Sequence, residues 1–254
     1  MFHFLLRTIP RPILIKFSLA FRHVAPIVYY GKKYEDPISG KTYRKFLPYG
    51  YSGKAKRKNA LCPGSLSLER HRLLWLYLKD KSNFFKAPKL KVLHIAPEQC
   101  FYKLFKAQKN LEYVTADLNS PIADVHMDLH HTPFKDNEFD VIFCNHVLEH
   151  VEDDAQCMRE LYRIMKPDGW GIFQVPQDIT RKNTYEDKSI VTEEEREIHF
   201  WQKDHVRLYG LDYPDRLAAA GFKIETVNYT KELSPELLDR YRLPEGELLY
   251  ICRK

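Results

Sequence analysis

The sequence predicts a doubly wound α/β fold with a mostly parallel, seven-stranded sheet and an N-terminal extension. Short apolar runs alternate with helical segments between residues 69 and 252, the pattern of a parallel sheet with helices on both faces. The chain has 254 residues, of which 44% are hydrophobic, enough for a sizeable core. Five cysteines without a Cys-x-x-Cys pair argue against a disulfide framework and favour a reducing, cytoplasmic location.

Charge divides the chain near residue 60. Residues 1–60 carry 13 Lys and Arg against 2 Asp and Glu, whereas the remainder carries 27 against 32. This asymmetry points to a membrane surface or nucleic acid as a partner of the first segment. We therefore expect a basic N-terminal arm over residues 1–60 and a second domain over residues 61–254.

The arm contains an amphipathic segment at residues 13–24. The pattern fits a helix lying on anionic lipid, which would give peripheral membrane contact through residues 1–30, or a helix packed on the protein body. The apolar run is too short and too basic to span a membrane. Residues 41–58 mix basic and aromatic side chains, but such stretches more often form solvated loops, so nucleic-acid binding is not favoured. Oligomeric state is not set by these features.

Two turns resemble zinc knuckles without their ligands. Residues 36–40 read Asp-Pro-Ile-Ser-Gly and residues 62–65 read Cys-Pro-Gly-Ser. A structural zinc ion needs four ligands, usually Cys or His, and only Cys62 qualifies. The sequence therefore predicts no metal at these turns.

The elements of the body follow from hydrophobic periodicity. Residues 69–78 have the broad apolar face of a helix, and Pro88 closes that segment. Further helices are predicted at residues 100–108 and 153–165, the latter stopped by Pro-Asp-Gly at 167–169, and at a segment ending at Gly221. Strands are predicted at residues 91–95, 112–117, 124–128, 139–144, 170–175, 222–227 and 248–252, the last two as an antiparallel hairpin.

Residues that directly follow the strands are the best candidates for ligand binding. In a doubly wound sheet, ligands bind at the carboxyl ends of the strands, near the switch in strand order. The segments that meet this condition are residues 94–100, 117–118, 128–129, 145–150 and 174–176.

Two long sequence motifs lie around the predicted strands at residues 139–144 and 170–175. Residues 133–150 read Pro-Phe-Lys-Asp-Asn-Glu-Phe-Asp-Val-Ile-Phe-Cys-Asn-His-Val-Leu-Glu-His, and residues 158–171 read Met-Arg-Glu-Leu-Tyr-Arg-Ile-Met-Lys-Pro-Asp-Gly-Trp-Gly. Together with the later runs at 205–209 and 220–222, they resemble the class I S-adenosylmethionine-dependent methyltransferases of the small-molecule type. The resemblance covers residues 89–227. It implies the Rossmann-like methyltransferase fold, S-adenosylmethionine as cofactor, and methyl transfer to a small-molecule or lipid-like acceptor.

The first cofactor loop departs from the family pattern Asp-x-Gly-x-Gly-x-Gly. His94 stands at the acid position, and Ala96, Glu98 and Cys100 stand at the three glycines. Ala96 is still small. Glu98 is expected to accept a hydrogen bond from the amino group of the methionine part, with capping of the following helix as the alternative.

The other cofactor contacts follow the later strands. Asp117 is expected on the ribose hydroxyls, with a turn or cap role as the alternative. Asp128 resembles the family's adenine-contacting acid, and Asn145 and His146 should lie closest to the methyl group. The full set of expected cofactor-binding residues is His94, Ala96, Glu98, Asp117, Leu118, Asp128, Leu129, Asn145 and His146.

The charged and aromatic segment 177–213 is expected to form a lid and acceptor pocket. Substrate contacts are predicted for Trp201, Asp204, Arg207 and Tyr209. For Asp204, His205 and Arg207, a salt-bridged lid is the alternative. Imidazole titrates near neutrality, so a general base is expected among three histidines. These catalytic candidates are His146, His150 and His205.

Four other interpretations remain at this point. Residues 146–150 fit the inverted zincin pattern His-x-x-Glu-His, but that pattern needs a helix and here follows a strand directly, so no metal is predicted. His126, His130 and His131 are interpreted as surface or turn residues.

The altered first loop leaves a non-catalytic Rossmann-like protein as one alternative function, and the retained acids Asp117 and Asp128 argue against it. A nicotinamide-dependent oxidoreductase is the other, which the missing Gly-x-Gly-x-x-Gly opposes.

Overall fold

The structure is a computed structural model and describes residues 21, 24–50 and 57–254. The chain forms two compact units: the first runs to Asn83 and also contains Asn228–Glu247, and the second consists of Phe84–Val227 and Leu248–Lys254. The units thus divide at Asn83 rather than at residue 60. The fully buried Arg72 explains part of this division, because its guanidinium donates to the carbonyl oxygens of Tyr241 (2.6 Å) and Arg242 (2.8 Å) within the first unit.

The elements have the following bounds. The strands are β1 (Tyr30–Asp36), β2 (Lys41–Tyr43), β3 (Leu47–Tyr49), β4 (Arg57–Leu61), β5 (Leu90–Ile95), β6 (Leu111–Asp117), β7 (Val125–His126), β8 (Phe139–Cys144), β9 (Met165–Ile172), β10 (Tyr185–Glu186), β11 (Arg207–Leu208), β12 (Lys223–Val227) and β13 (Leu249–Arg253). The helices are α1 (Glu69–Lys81), α2 (Gln99–Lys106), α3 (Asp154–Ile164), α4 (Glu193–Phe200), α5 (Tyr213–Ala219) and α6 (Pro235–Tyr241).

The first unit brings the two knuckle-like turns together through hydrogen bonds. Ser39 Oγ donates to one carboxylate oxygen of the buried Asp36 (2.6 Å), and Ser67 Oγ donates to the other (3.1 Å). At the second turn, a Cβ on Gly64 would lie 2.1 Å from Tyr43 Oη, so only glycine fits there. A carboxylate and two hydroxyl groups thus connect turns that zinc would connect in a zinc ribbon.

The second unit contains the predicted sheet. Its seven strands run in the order β12-β13-β9-β8-β5-β6-β7, and the pairs from β9 to β7 are parallel. β13 is antiparallel to both of its neighbours. This confirms the doubly wound, mostly parallel fold. The last two strands pair as expected, but Asn228–Glu247 of the first unit lies between them, so they do not form a tight hairpin.

The predicted helix stop at residues 167–169 lies inside β9. Strand β9 begins at Met165, directly after α3, and its pairing with β8 shifts between the Phe139–Met165 and Val141–Trp170 pairs. Asp168 has φ 64°. The Pro-Asp-Gly run is therefore a bulge, because proline cannot donate to the ladder and Asp168 adopts a left-handed conformation.

Apolar side chains cover the sheet. One buried cluster joins β5, β8 and β9 to α3 and α5, and it includes Leu93, Ile142, Cys144, Met158, Leu161 and Leu217. A second group is aromatic, with Phe84, Phe105 and Phe143 at ring centroid distances of 5.0–5.9 Å. Burial of both clusters fixes the strand ends on which the site is built.

Within residues 24–50 and 57–254, no helix is long and apolar enough to cross a membrane. Most of the predicted amphipathic segment at 13–24 lies outside the described residues, as do residues 51–56 of the basic stretch.

Candidate active site

The strand order switches at β5. The chain proceeds from β5 to β6 and β7 on one side, then returns to β8 and β9 on the other. Register pairs Ile95 with Ala116 and with Cys144, so the loops after β5, β6 and β8 start at one edge. Such a switch point opens the crevice in which doubly wound sheets bind their ligands.

The first loop keeps a glycine-like turn without glycine. Ala96 has φ 49°, and its N–H donates to the carbonyl oxygen of Ala116 (2.8 Å). A left-handed conformation is uncommon for residues with a Cβ, and alanine has the smallest side chain that carries one. The backbone path that glycine would favour is therefore retained at Ala96.

Glu98 connects the end of β5 with the loop that follows β8. Its carboxylate pairs with His94 Nε2 and accepts a hydrogen bond from Asn145 Nδ2 (3.4 Å). His94 Nδ1 contacts Tyr113 Oη at 2.7 Å, and burial holds the pKa of Tyr113 well above its usual value. Tyr113 thus stays protonated, and both ring nitrogens of His94 have a hydrogen-bond partner. Although Glu98 occupies the N-cap position of α2, its side chain makes no capping hydrogen bond within the described chain.

Asp117 ends β6 and closes a turn. One of its carboxylate oxygens accepts the N–H groups of Asn119 (2.8 Å) and Ser120 (2.6 Å), and Leu118 beside it is exposed. This oxygen, Oδ1, therefore stabilises a turn, which is the alternative role that the sequence analysis gave to Asp117. Ribose binding by Asp117 stays a prediction, and it would use the second oxygen.

Asp128 and Leu129 follow β7 with opposite exposure. Leu129 is buried in the core, whereas the Asp128 side chain is 61% exposed. Asp128 accepts hydrogen bonds from His130 N (2.9 Å) and from its ring Nδ1 (2.6 Å), and these bonds hold the pKa of Asp128 below its usual value. An ionised carboxylate thus stands at this edge, and its adenine contact stays a prediction.

The loop after β8 places Asn145 and His146 at the crevice. The buried Asn145 accepts a hydrogen bond from Gln174 N (3.3 Å), and His146 N donates to Gln174 O (2.7 Å). His146 has φ 55°, which turns the chain sharply out of the strand. Its Nε2 is buried without a hydrogen-bond partner among the described residues.

The three candidate bases surround Glu149. Glu149 Oε1 lies 3.3 Å from His146 Nδ1 and 3.9 Å from His150 Nε2. The His150 and His205 rings meet edge to face at 4.8 Å. Burial lowers the pKa of His205, so its ring is neutral at pH 7. Burial acts to raise the pKa of Glu149, but the hydrogen bond and charge of His146 outweigh it and hold that pKa low.

Arg207 and Tyr209 are turned into the protein. The Arg207 guanidinium donates to the carbonyl oxygens of Leu148 (2.7 Å) and Glu152 (2.7 Å), also contacts Val151 O, and pairs with Glu186. Tyr209 Oη donates to Asp154 at 2.7 Å. Both side chains are buried. The geometry therefore matches the salt-bridged alternative, in which these residues support the loop that carries His146 and His150.

Trp201 and Asp204 are the exposed members of the predicted acceptor set. Trp201 ends α4 in a left-handed conformation with φ 72° and is 47% exposed. The Asp204 carboxylate lies 3.5 Å from His150 Nδ1. Asp204 thus stands beside His150, and contact of Trp201 and Asp204 with an acceptor stays a prediction.

The structure gathers some predicted residues and adds others. It joins His94, Glu98 and Asn145 in one hydrogen-bonded group, and His146, His150 and His205 in a second around Glu149. Gln174 and Glu149 lie in the predicted segments 174–176 and 145–150, but the sequence analysis gave neither residue a role of its own. Glu149 also stands in the His-x-x-Glu-His run. Sequence reasoning missed Tyr113, which carried no signal because it lies inside a strand.

The site suits S-adenosylmethionine on structural grounds. The turn at Ala96, the carboxylates of Glu98 and Asp117, and the orphaned Nε2 of His146 offer a close backbone approach and polar groups along one edge. The methionine part would lie near Glu98, the ribose near Asp117, and the methyl group near Asn145 and His146.

Comparison with known proteins points to the same cofactor. Residues 90–173 match the family described as a methyltransferase domain. Two similar solved structures are an S-adenosylmethionine-dependent methyltransferase from Mesorhizobium loti (17% identity, 70% of this chain and 100% of that chain, TM-score 0.43) and one from Archaeoglobus fulgidus (15%, 72% and 93%, 0.48). No curated protein sequence matches the chain. At these TM-scores the two structures carry no argument about the site. The match over residues 90–173 supports methyltransferase activity with S-adenosylmethionine as the cofactor.

Proposed function

We propose that this enzyme methylates a small-molecule or lipid-like acceptor held between the loop at 145–150 and the segment at 201–205. The observation that carries the proposal is the group of His146, His150 and His205 around Glu149, beside Asn145 at the strand-order switch. Trp201 and Asp204 form the exposed wall of this site. Arg207 and Tyr209 support it from within.

The proposed chemistry is an in-line displacement at carbon. S-adenosylmethionine supplies a methyl group on a positively charged sulfur. An oxygen or nitrogen lone pair of the acceptor forms the new bond to the methyl carbon as the carbon–sulfur bond breaks. The acceptor proton passes to a neighbouring imidazole. His146 suits this role because its Nε2 has no hydrogen-bond partner among the described residues, and its Nδ1 lies 3.3 Å from Glu149 Oε1.

Screening of metabolite and lipid extracts with a donor carrying a labelled methyl group tests this proposal. We expect a labelled product in the wild-type reaction and a loss of at least about tenfold in Asn145→Ala, which removes the contact with Glu98. Asn83→Ala, at an exposed position outside both groups and outside the segment 177–213, is the control variant. If label transfer persists unchanged in Asn145→Ala, the loop after β8 is not part of the site.

A further inference from the structure

We propose that Glu149, His150 and His205 bind one divalent transition-metal ion. One ligand atom from each residue lies within 4.8 Å of those from the other two. A carboxylate with two imidazoles is a donor set suited to Zn²⁺, Mn²⁺ or Fe²⁺. The sequence predicts no metal because the inverted zincin pattern would use two histidines of one helix. In the structure, the candidate ligands are instead Glu149 and His150 of that run together with His205, which comes much later in the chain.

In both imidazoles, the contact made by Nδ1 leaves Nε2 as the lone-pair nitrogen of the neutral ring. His205 Nδ1 lies 2.9 Å from Phe200 O, and His150 Nδ1 lies 3.1 Å from Asp204 O. A carbonyl oxygen only accepts, so each Nδ1 must carry the hydrogen, and each Nε2 of a neutral ring carries a lone pair. Histidines that bind metals are commonly oriented in this way by a backbone carbonyl.

Two buried atoms of the group have no hydrogen-bond partner. They are Glu149 Oε2 and His205 Nε2, and neither finds a donor or acceptor among the described residues. The Glu149 side chain is 1% exposed, and His205 is equally buried. Buried polar atoms are nearly always paired, and one cation would satisfy both of these.

The group has a route for the ion and an open coordination position. The His150 side chain is 34% exposed, so it faces solvent and has room to move. Metal bonds of about 2.0–2.2 Å require the ligand atoms to approach one another, and rotation of His150 supplies that approach. Three protein ligands leave a position for water or for an oxygen of the acceptor. A bound hydroxyl at that position would lose its proton more readily.

Titration of the metal-stripped full chain with Co²⁺ tests the site without turnover, so failure here leaves the proposed methyl transfer untouched. We expect binding of one Co²⁺ per chain with visible absorption bands, competed by Zn²⁺. Glu149→Gln and the half-exposed His150→Ala should weaken binding at least about tenfold. His199→Ala, an exposed histidine of α4, should bind as the wild type does.

Three results would overturn the proposal. The first is a wild-type chain that takes up no Co²⁺. The second is unchanged affinity in both Glu149→Gln and His150→Ala, with folding verified by circular dichroism. The third is a sulfur-to-metal charge-transfer band, because it would place the ion on cysteine rather than on this group.

Discussion

Glu98 has hydrogen-bonding neighbours on both sides of the crevice. His94 holds it from the end of β5, and Asn145 contacts it from the loop after β8. His94 thus orients a carboxylate that lies four residues later in the chain. A carboxylate in this position can still receive the amino group of the cofactor.

Asp117→Ala should weaken binding of S-adenosylmethionine by about 1.5–3 kcal/mol, because hydrogen bonds to a charged group are lost. Calorimetric titration measures this difference. Asp187→Ala is the matched control, since Asp187 closes a similar turn with Ser189 away from the sheet edge. Equal affinities in the two variants would place the ribose elsewhere.

Arg207→Lys should lower the free energy of unfolding by roughly 2 kcal/mol or more, because lysine cannot bind several carbonyl oxygens in a fork. Urea denaturation measures the loss. The exposed Arg253→Lys serves as the control. If Arg207→Lys instead keeps its stability and loses only turnover, Arg207 contacts the acceptor after all.

At the scale of elements, α3 is tied to the loop that precedes β8. Glu160 binds Arg163 through two bonds of 2.8 Å and also accepts the Thr132 N–H (3.1 Å). Arg163 in turn donates to Phe134 O (3.0 Å). These bonds hold the segment that leads into β8. They therefore help to set the position of Asn145, which directly follows that strand.

Glu160→Gln should destabilise the fold by about 1–2 kcal/mol at pH 7, a value reduced for solvent because Arg163 is a third exposed. The Arg163 guanidinium lowers the pKa of Glu160 to about 2. A lowered folded pKa gives stability above the unfolded value near 4.3 that is lost as pH falls toward 2. Urea denaturation of the wild type and of Glu160→Gln at several pH values should therefore show that their difference in the free energy of unfolding shrinks between pH ~4.5 and 2. A difference independent of pH, or equal to that of the exposed Glu197→Gln, would contradict this account.

Sequence periodicity predicts elements well where burial alone decides them. Val92–Ile95 and Val141–Cys144 are buried between neighbouring strands, so their apolar runs identify β5 and β8 directly. Hydrophobic patterns do not predict a side-chain orientation or a bulge that depends on contacts with residues distant in the sequence. The direction of Arg207 depends on carbonyl groups some fifty residues earlier, and the bulge at Asp168 depends on pairing with β8.

For the whole molecule, the late segment Asn228–Glu247 was not predicted to join the first unit. Its helix α6 has no buried residue, and polar contacts hold it in the first unit. Arg240 pairs with Glu35 at 2.6 Å, and Arg72 binds the carbonyl oxygens after α6. Such contacts depend on geometry rather than on composition.

We also propose that residues 1–30 give peripheral contact with anionic membranes, on the ground of their basic and apolar composition. Flotation with phosphatidylserine-containing vesicles tests this, and neutral phosphatidylcholine vesicles are the control. Deletion of residues 1–20, which spares the fully buried Ala25, should abolish flotation and leave cofactor affinity within about twofold. A full-length chain that stays at the bottom of the gradient would contradict the membrane proposal.

Binding of the cofactor by the glycine-poor first loop is the most direct test of the account. Isothermal titration of the full chain with S-adenosylmethionine, and separately with its demethylated product, measures it. We expect one molecule bound per chain, with affinity reduced at least about tenfold in Glu98→Ala. Absence of binding by a folded wild-type chain would show that the loop at Ala96 and Glu98 no longer forms a cofactor site.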